Sequence, residues 1–353
     1  MSYSAWRKHI AGQLGFNFHV TDYPLTANFN HPGLNYSNFD HSGNIEILSL
    51  LSFIVDVRMF PEHYPYKENM KKWFDFGELH EDRSIFMSSI EVVLSPNMYN
   101  KQIPKWPLET KVRLGYIGNS SVAIHLEVYT PGGQEPLLTH VVQMVSVDTK
   151  TRKPKQFPDW FMNKYKDQCS MKEGFRLRAF QRPQKTFTYR REVMWLETDF
   201  NQHTNFASYV RYALDGLHSA LKRQNDMATA SHHSSSSESS YATNDVSGAE
   251  YQSSSTGAVS DMDKTDRLEV LQRTVVHTKN SIGGLKGISK DVIKRGIKSL
   301  KACYLNECLE GDIIDVHVWQ EDNEPYTVRC SVEKGSKILC QIILEYFGPL
   351  AKL

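Results

Sequence analysis

One plan occurs twice in this chain, and that repeat constrains the fold more than any other feature. In the first copy a polar turn, "NYSNFDHSGN", leads into a run that is apolar on nearly every side, "IEILSLLSFIVDVRMF" (residues 45–60). Such a run suits a helix buried inside its own domain. Four segments rich in Val, Ile and Leu follow ("SIFMSSIEVVLS", "ETKVRLGYIGN", "SVAIHLEVYT", "LLTHVVQMVSVD"), with "GN" and "PGG" as turn signals between them. The second copy repeats this order. "FTYRREVMWLETD" (187–199) enters as a strand. A helix over 204–222 then sets Phe206, Tyr209, Val210, Ala213, Leu217 and Leu221 on one stripe, and four more strand-like segments close the chain.

Two landmarks fix the alignment of the copies. Asp40 in "FDHSGN" corresponds to Asp199 in "TDFNQH", an offset of 159 (199 − 40). The strand "SIEVVLSPNM" (89–98) corresponds to "SLKACYLNEC" (299–308), an offset of 210 (299 − 89). The excess of 51 (210 − 159) is supplied by residues 226–263 and their shoulders, a Ser-rich stretch short of aliphatics. It cannot bury enough apolar area to offset the entropy of ordering it, so the expectation is a disordered insertion between helix and strand of the second copy. The sequence thus divides into an N-terminal segment (1–29), a first domain (30–149), a basic linker (150–186) and a second domain (187–353). An α+β fold is expected, two central helices each wrapped by an antiparallel sheet.

Composition narrows the function classes. A formal net charge of +1 over 353 residues argues against broad nucleic-acid binding, which leaves a basic footprint. No apolar run reaches the roughly 20 residues of a transmembrane helix, so a soluble protein is expected. Five cysteines, without CxxC spacing, give neither a disulfide framework nor a zinc site. No metal or cofactor is implied, and a reducing setting fits, with the cytoplasm expected. The basic N-terminal "MSYSAWRKHIAGQLG" keeps a mitochondrion or other organelle as the alternative.

The second helix is preceded by "TDFNQHTNFASYV". This resembles the signature of plant-type acyl-acyl-carrier-protein thioesterases, where Asp-x-Asn-x-His-x-Asn opens the central helix of the second of two hotdog domains. Those enzymes carry a Tyr-x-x-Glu-Cys element on the following strand; here "YLNEC" places Tyr304, Glu307 and Cys308 in it. The resemblance runs from about residue 30 to the C-terminus, apart from the Ser-rich stretch. It implies a tandem hotdog fold and hydrolysis of fatty acyl-CoA or acyl-acyl-carrier-protein to free acid and thiol. It further implies that Asp199, Asn201, His203 and Glu307 cooperate. The Ser-rich insertion and the lack of a plain plastid presequence depart from the plant pattern and leave acyl-CoA beside the carrier protein as substrate.

Thioester hydrolysis needs a positioned water, a base, and donors for the carbonyl oxygen. A helix N-terminus supplies donors, because its first amides lack acceptors and the dipole is positive there. A helix starting near Thr204 or Asn205 would turn those amides toward the substrate. Asp199 could act as base or nucleophile, and Asn201 could hold water or carbonyl. His203 could orient a carboxylate or protonate the thiolate, Glu307 is a second base, and Cys308 invites a Cys–His mechanism. The same residues also have plain explanations. Asp and Asn are favoured N-caps, and a Cys on an apolar strand packs more often than it reacts. Capping needs one such residue and not four. The first copy starts its helix with Ser42 and Asn44 where the second has Asn201 and His203, and has Asn97 and Met98 where the second has Glu307 and Cys308. The chemistry is therefore expected in the second domain, with the first contributing structure and part of an acyl pocket.

Residues 150–192 hold 13 Lys and Arg against 4 Asp and Glu. Lys153, Lys155, Arg176, Arg178 and Arg182 could dock the phosphates of CoA or the acidic face of a carrier protein, or simply solvate a linker. Two readings of other classes remain: a non-catalytic acyl-CoA-binding or scaffolding protein, and an enoyl-thioester hydratase. Because the copies can pair within one chain, a monomer is viable, and a homodimer is open.

Overall fold

The computed structural model describes residues 17–41, 43–64, 71–79, 83–199, 202–234 and 285–349. Among the described residues eleven strands form one continuous sheet. In chain order they are β1 (Phe18–Asp22), β2 (Leu25–His31), β3 (Arg83–Leu94), β4 (Leu108–Ile117), β5 (Ser121–Tyr129), β6 (Leu138–Asp148), β7 (Phe187–Glu192), β8 (Ile297–Tyr304), β9 (Ile313–Trp319), β10 (Thr327–Lys334) and β11 (Lys337–Tyr346). Their spatial order is β1-β2-β4-β5-β6-β3-β8-β11-β10-β9-β7, and every pairing is antiparallel. Each half contributes its own block, and the blocks meet at the β3–β8 seam. There Glu91 lies opposite Lys301, and their side chains pair at 2.8 Å.

Two long helices carry the buried stripes, α1 (Ile47–His63) in the first half and α3 (Phe206–Ser234) in the second. Short helices α2 (Asp159–Tyr165) and α4 (Lys290–Lys294) sit in the connections. Leu50, Leu51, Ile54 and Val57 of α1, and Val210, Ala213 and Leu217 of α3, are at most 1% exposed against the sheet. The helices also touch each other. Helix α3 runs on to Ser234, because Asp226–Ser234 extends an established helix at little nucleation cost. The rest of the Ser-rich stretch, 235–263, lies outside the described residues.

The internal repeat is exact to the residue around the helix starts. In the first copy Asp40 N–H donates to Asn44 O (2.8 Å) and Gly43 N–H to Asp40 O (2.9 Å). In the second, Asp199 N–H donates to His203 O (2.8 Å) and Gln202 N–H to Asp199 O (2.9 Å). The offset of 210 holds as well for the donors of a second pair, whose acceptors are 202 apart (339 − 137): Ser95 N–H to Leu137 O (2.9 Å) recurs as Leu305 N–H to Leu339 O (2.8 Å).

The linker straps the outer face of the sheet. Ser170 and Met171 donate backbone N–H groups to Leu114 and Gly115, and Phe180 exchanges hydrogen bonds with the Gln341 side chain at 2.8 Å each way. In the linker segment "PDWF" (158–161) Phe161 is buried, packed on Phe157, Phe74 and Tyr165, while Trp160 stays 41% exposed.

Candidate functional site

The turn before α3 brings the sequence-flagged residues to the end of β8. Helix α3 begins at Phe206, directly after the expected donors Thr204 and Asn205, and Asn205 caps it by accepting Ala207 N–H (2.9 Å). This corrects the expectation for Thr204 and Asn205. Thr204 N–H donates to Cys308 O and Asn205 N–H to Glu197 O, both at 2.8 Å, so neither amide is open to a substrate carbonyl. Phe206 N–H, the first amide of α3, has no acceptor among the described residues.

Asp199 is a turn-former. Its Oδ1 accepts His203 N–H at 3.3 Å, as Asp40 Oδ1 accepts Asn44 N–H at 3.0 Å in the other copy. The residue before each N–H donor sits at positive φ, Gly43 at +78° and Gln202 at +63°. A glutamine there costs on the order of 1 kcal/mol that glycine does not. Backbone strain is thus held next to His203 in one copy only. Asn201 lies outside the described residues.

His203 and Glu307 do meet. His203 Nε2 lies 3.6 Å from Glu307 Oε2. The other Glu307 oxygen is ion-paired with Arg152, whose guanidinium lies over the Phe86 ring at 4.7 Å from its centroid. Phe86 in turn lies 6.3 Å from the His203 ring. The cluster is therefore shared: His203 and Glu307 come from the second half, Phe86 and Arg152 from β3 and the loop after β6. His203 is the more sheltered, its side chain 22% exposed against 46% for Glu307 and 42% for Arg152. Nothing in the sequence singled out Arg152 or Phe86. One stands among several linker cations, the other in an ordinary strand, and only the seam between the copies joins them to the site.

Cys308 is not placed as a nucleophile. It is wholly buried beneath the turn, its Sγ–H donates to Asp312 Oδ2 (3.5 Å), and burial pushes its thiol up to about 11. The reactive thiolate is thus disfavoured. It packs at the place of Met98 in the first copy, which is 2% exposed.

The basic residues divide. Arg182 is spent on a bidentate pair with Glu333 (2.9 and 3.3 Å) that ties the linker to β10, and Lys155 Nζ pairs with Asp148 at 3.3 Å. These two are structural rather than open phosphate contacts. Lys153, Arg176 and Arg178 are exposed. Among the described residues no cluster of three or more His, Cys, Asp or Glu could hold a metal ion, and no helix is long and apolar enough to cross a membrane.

A second buried network was not anticipated. Glu197, 5% exposed, accepts from Arg191 Nη2 (2.6 Å), Met194 N–H (2.9 Å) and the Tyr212 hydroxyl (2.9 Å). It fixes the turn against α3. Its counterpart in the first copy, Asn38, makes the equivalent backbone contact to Asn35 N–H at 2.7 Å.

Comparison with solved structures agrees with this architecture. A 12:0-ACP thioesterase from Umbellularia californica aligns over 91% of this chain and 97% of its own, with TM-score 0.53 and 12% identity. An acyl-ACP thioesterase from Bacteroides thetaiotaomicron aligns over 91% and 98%, with TM-score 0.52 and 10% identity. The fold is a tandem hotdog. No protein-family model matches the chain, and neither does any curated protein sequence. At such identities the likeness establishes the fold and not the reaction.

Proposed function

We propose that the protein is an acyl thioesterase, hydrolysing the thioester of a fatty acyl-CoA or acyl-acyl-carrier-protein at the His203–Glu307 cluster. The observation that carries this reading is that copy-specific pair, 3.6 Å apart at the N-terminus of a buried helix, where the other copy has Asn44 and Asn97. The tandem hotdog architecture shared with thioesterases supports it.

In this reading Glu307, held by Arg152, attracts the imidazole at Nε2 across 3.6 Å, a contact that tightens to a hydrogen bond when substrate binds, and Nδ1 accepts a proton from water. The hydroxide oxygen bonds to the thioester carbon while the carbonyl π electrons move onto oxygen. Phe206 N–H, at the positive end of α3, would donate to that charge. Collapse breaks the C–S bond, and the imidazolium returns its proton to the departing thiolate, leaving acid and thiol. Asn201, from the same sequence motif, would hold the water. Asp199 acts through the turn. Arg176 and Arg178 on the outer strap, with Lys153, are the cations left for the substrate's phosphates.

The test is thiol release from an acyl-CoA chain-length panel with an acyl-acyl-carrier-protein beside it. Release by the wild type and its loss in His203→Ala, with the fold intact, is the expected result. Wild-type protein that binds acyl-CoA without turnover would make it an acyl-binding protein instead.

A further inference from the structure

Helix α1 carries two charged side chains on the face turned toward the sheet. Arg58 and Glu62 are 7% and 6% exposed, one helical turn apart, with Nη1 and Oε1 separated by 3.7 Å. That is too long for a hydrogen bond. The hydrogen bond found on this guanidinium runs from Nη1 to the Met144 thioether, 3.7 Å away, and thioether sulfur is a weak acceptor. Among the described residues Arg58 Nε–H and Glu62 Oε1 have no hydrogen-bond partner. Burial pushes the arginine pKa down and the carboxyl pKa up. Each shift opposes the charge that would hold the pair together.

The second copy shows what packing alone requires here. At the offset of 159 the equivalents are Leu217 and Leu221, both buried. Nearby His140, itself buried, corresponds to Ile342 at the offset of 202 (339 − 137) that the Leu137 and Leu339 carbonyls define. Polar groups thus occupy three interior positions of one copy that are aliphatic in the other.

Their location ties them to the site. The β3–β8 register stops at Ser89–Cys303, so Arg83–Met87 overhangs the seam without a ladder on that side. His203, Glu307 and Arg152 gather at this overhang around Phe86. The next residue, Met87, faces the opposite side and pairs across the strand with Met144, which touches Arg58. An acyl chain whose thioester lies at His203 would pass the open end of the seam and meet Met87, Met144 and then the Arg58–Glu62 pair.

We propose that an acyl chain bound with its thioester at His203 reaches Arg58 and Glu62, and that this pair selects chains carrying a hydroxyl group at that depth. A hydroxyl oxygen accepts from Nε–H and donates its own hydrogen to Oε1, meeting both unpartnered groups at once. A methylene meets neither and leaves them buried and unsatisfied. The inference rests on the thioesterase reading only for the direction in which the chain enters.

Binding of dodecanoate and of monohydroxydodecanoates, the hydroxyl moved stepwise along the chain, is measured by calorimetry on the full chain. One positional isomer is expected to bind about tenfold tighter than dodecanoate. Arg58→Leu/Glu62→Leu, which installs the second copy's own residues, should abolish that advantage, and Glu62→Gln should reduce it. Equal binding of all isomers to the wild type would overturn the proposal and leave a trapped water as the partner of the pair. So would an advantage that survives the double substitution, or no binding of any acid. The wild-type panel decides even if a variant fails to fold. Thiol release from dodecanoyl-CoA is scored separately and reports on the reaction whichever way binding falls.

Discussion

The carboxylate of Asp199 accepts the backbone N–H of His203, four residues on, at 3.3 Å. Asp40 makes the same contact to Asn44 in the copy that lacks the His–Glu pair, so the contact belongs to the fold. Asparagine can accept the same hydrogen bond through its amide oxygen. Asp199→Asn should therefore keep kcat within a few-fold of wild type. Asp199→Ala and Asp40→Ala should each cost about 1 kcal/mol in urea denaturation, the ordinary value of a local side-chain cap. A drop in kcat of about a hundredfold or more in Asp199→Asn, with Asp40→Asn unaffected, would return the base role to Asp199.

Glu307 sits between two partners from different halves, and substitution should separate their roles. Glu307→Gln and His203→Ala are each expected to lower kcat by about two to four orders of magnitude with little change in KM, as for groups acting in the transition state. Arg152→Gln should cost about tenfold in kcat, and Arg152→Lys should recover part of it. Both side chains of the Arg152–Glu307 pair are more than a third exposed, so its loss should change stability by less than about 1 kcal/mol. A fall in melting temperature that tracks the fall in activity would make Arg152 structural only.

The repeat, the two helices and the offsets were legible in the sequence because apolar periodicity and turn residues are local signals. The first copy served as an internal control for the second. That control identified Asn201, His203 and Glu307 as copy-specific, and the fold brings His203 to Glu307 across 104 residues of chain (307 − 203). It also marked Asp199 as shared, which is what the turn hydrogen bonds express. Arg152 and Phe86 were not legible, since they reach His203 only through the β3–β8 seam, and a seam between repeats leaves no local pattern. The amides of Thr204 and Asn205 were misassigned because nothing in the sequence says that Cys308 O and Glu197 O accept from them first. Arg58 and Glu62 break the apolar run of α1 openly, yet a helix buried on nearly all sides gave no face against which to count them as inward.

Cys308 should prove dispensable. Its thiol is buried beneath the Thr204 turn and held protonated, so alkylation of the native protein with iodoacetamide at pH 7 should be slow, and fast once unfolded. Cys308→Ala should keep kcat within about twofold and cost about 1 kcal/mol for the small void it leaves. Loss of turnover with an intact fold, or a trapped acyl-enzyme on that sulfur, would reinstate the nucleophile.

Stability should fall as pH drops below neutral, and His140 offers a defined contribution. Burial, together with the Arg58 charge, lowers its pKa to about 3, while Nδ1 stays bonded to Glu91 O at 3.0 Å. The folded pKa lies below the ordinary value near 6.5, so the unfolded chain binds the extra proton first. The contribution is fully present above about pH 6.5 and is lost progressively down to about pH 3. Between pH 7 and 5 that amounts to about 2 kcal/mol. His31, His125 and His317, all lowered by burial, act in the same direction. His140→Asn can keep a donor to Glu91 O but does not titrate, so its urea midpoint should fall less between pH 7 and 5 than that of the wild type. Equal slopes for the two proteins would mean that His140 is charged in the fold.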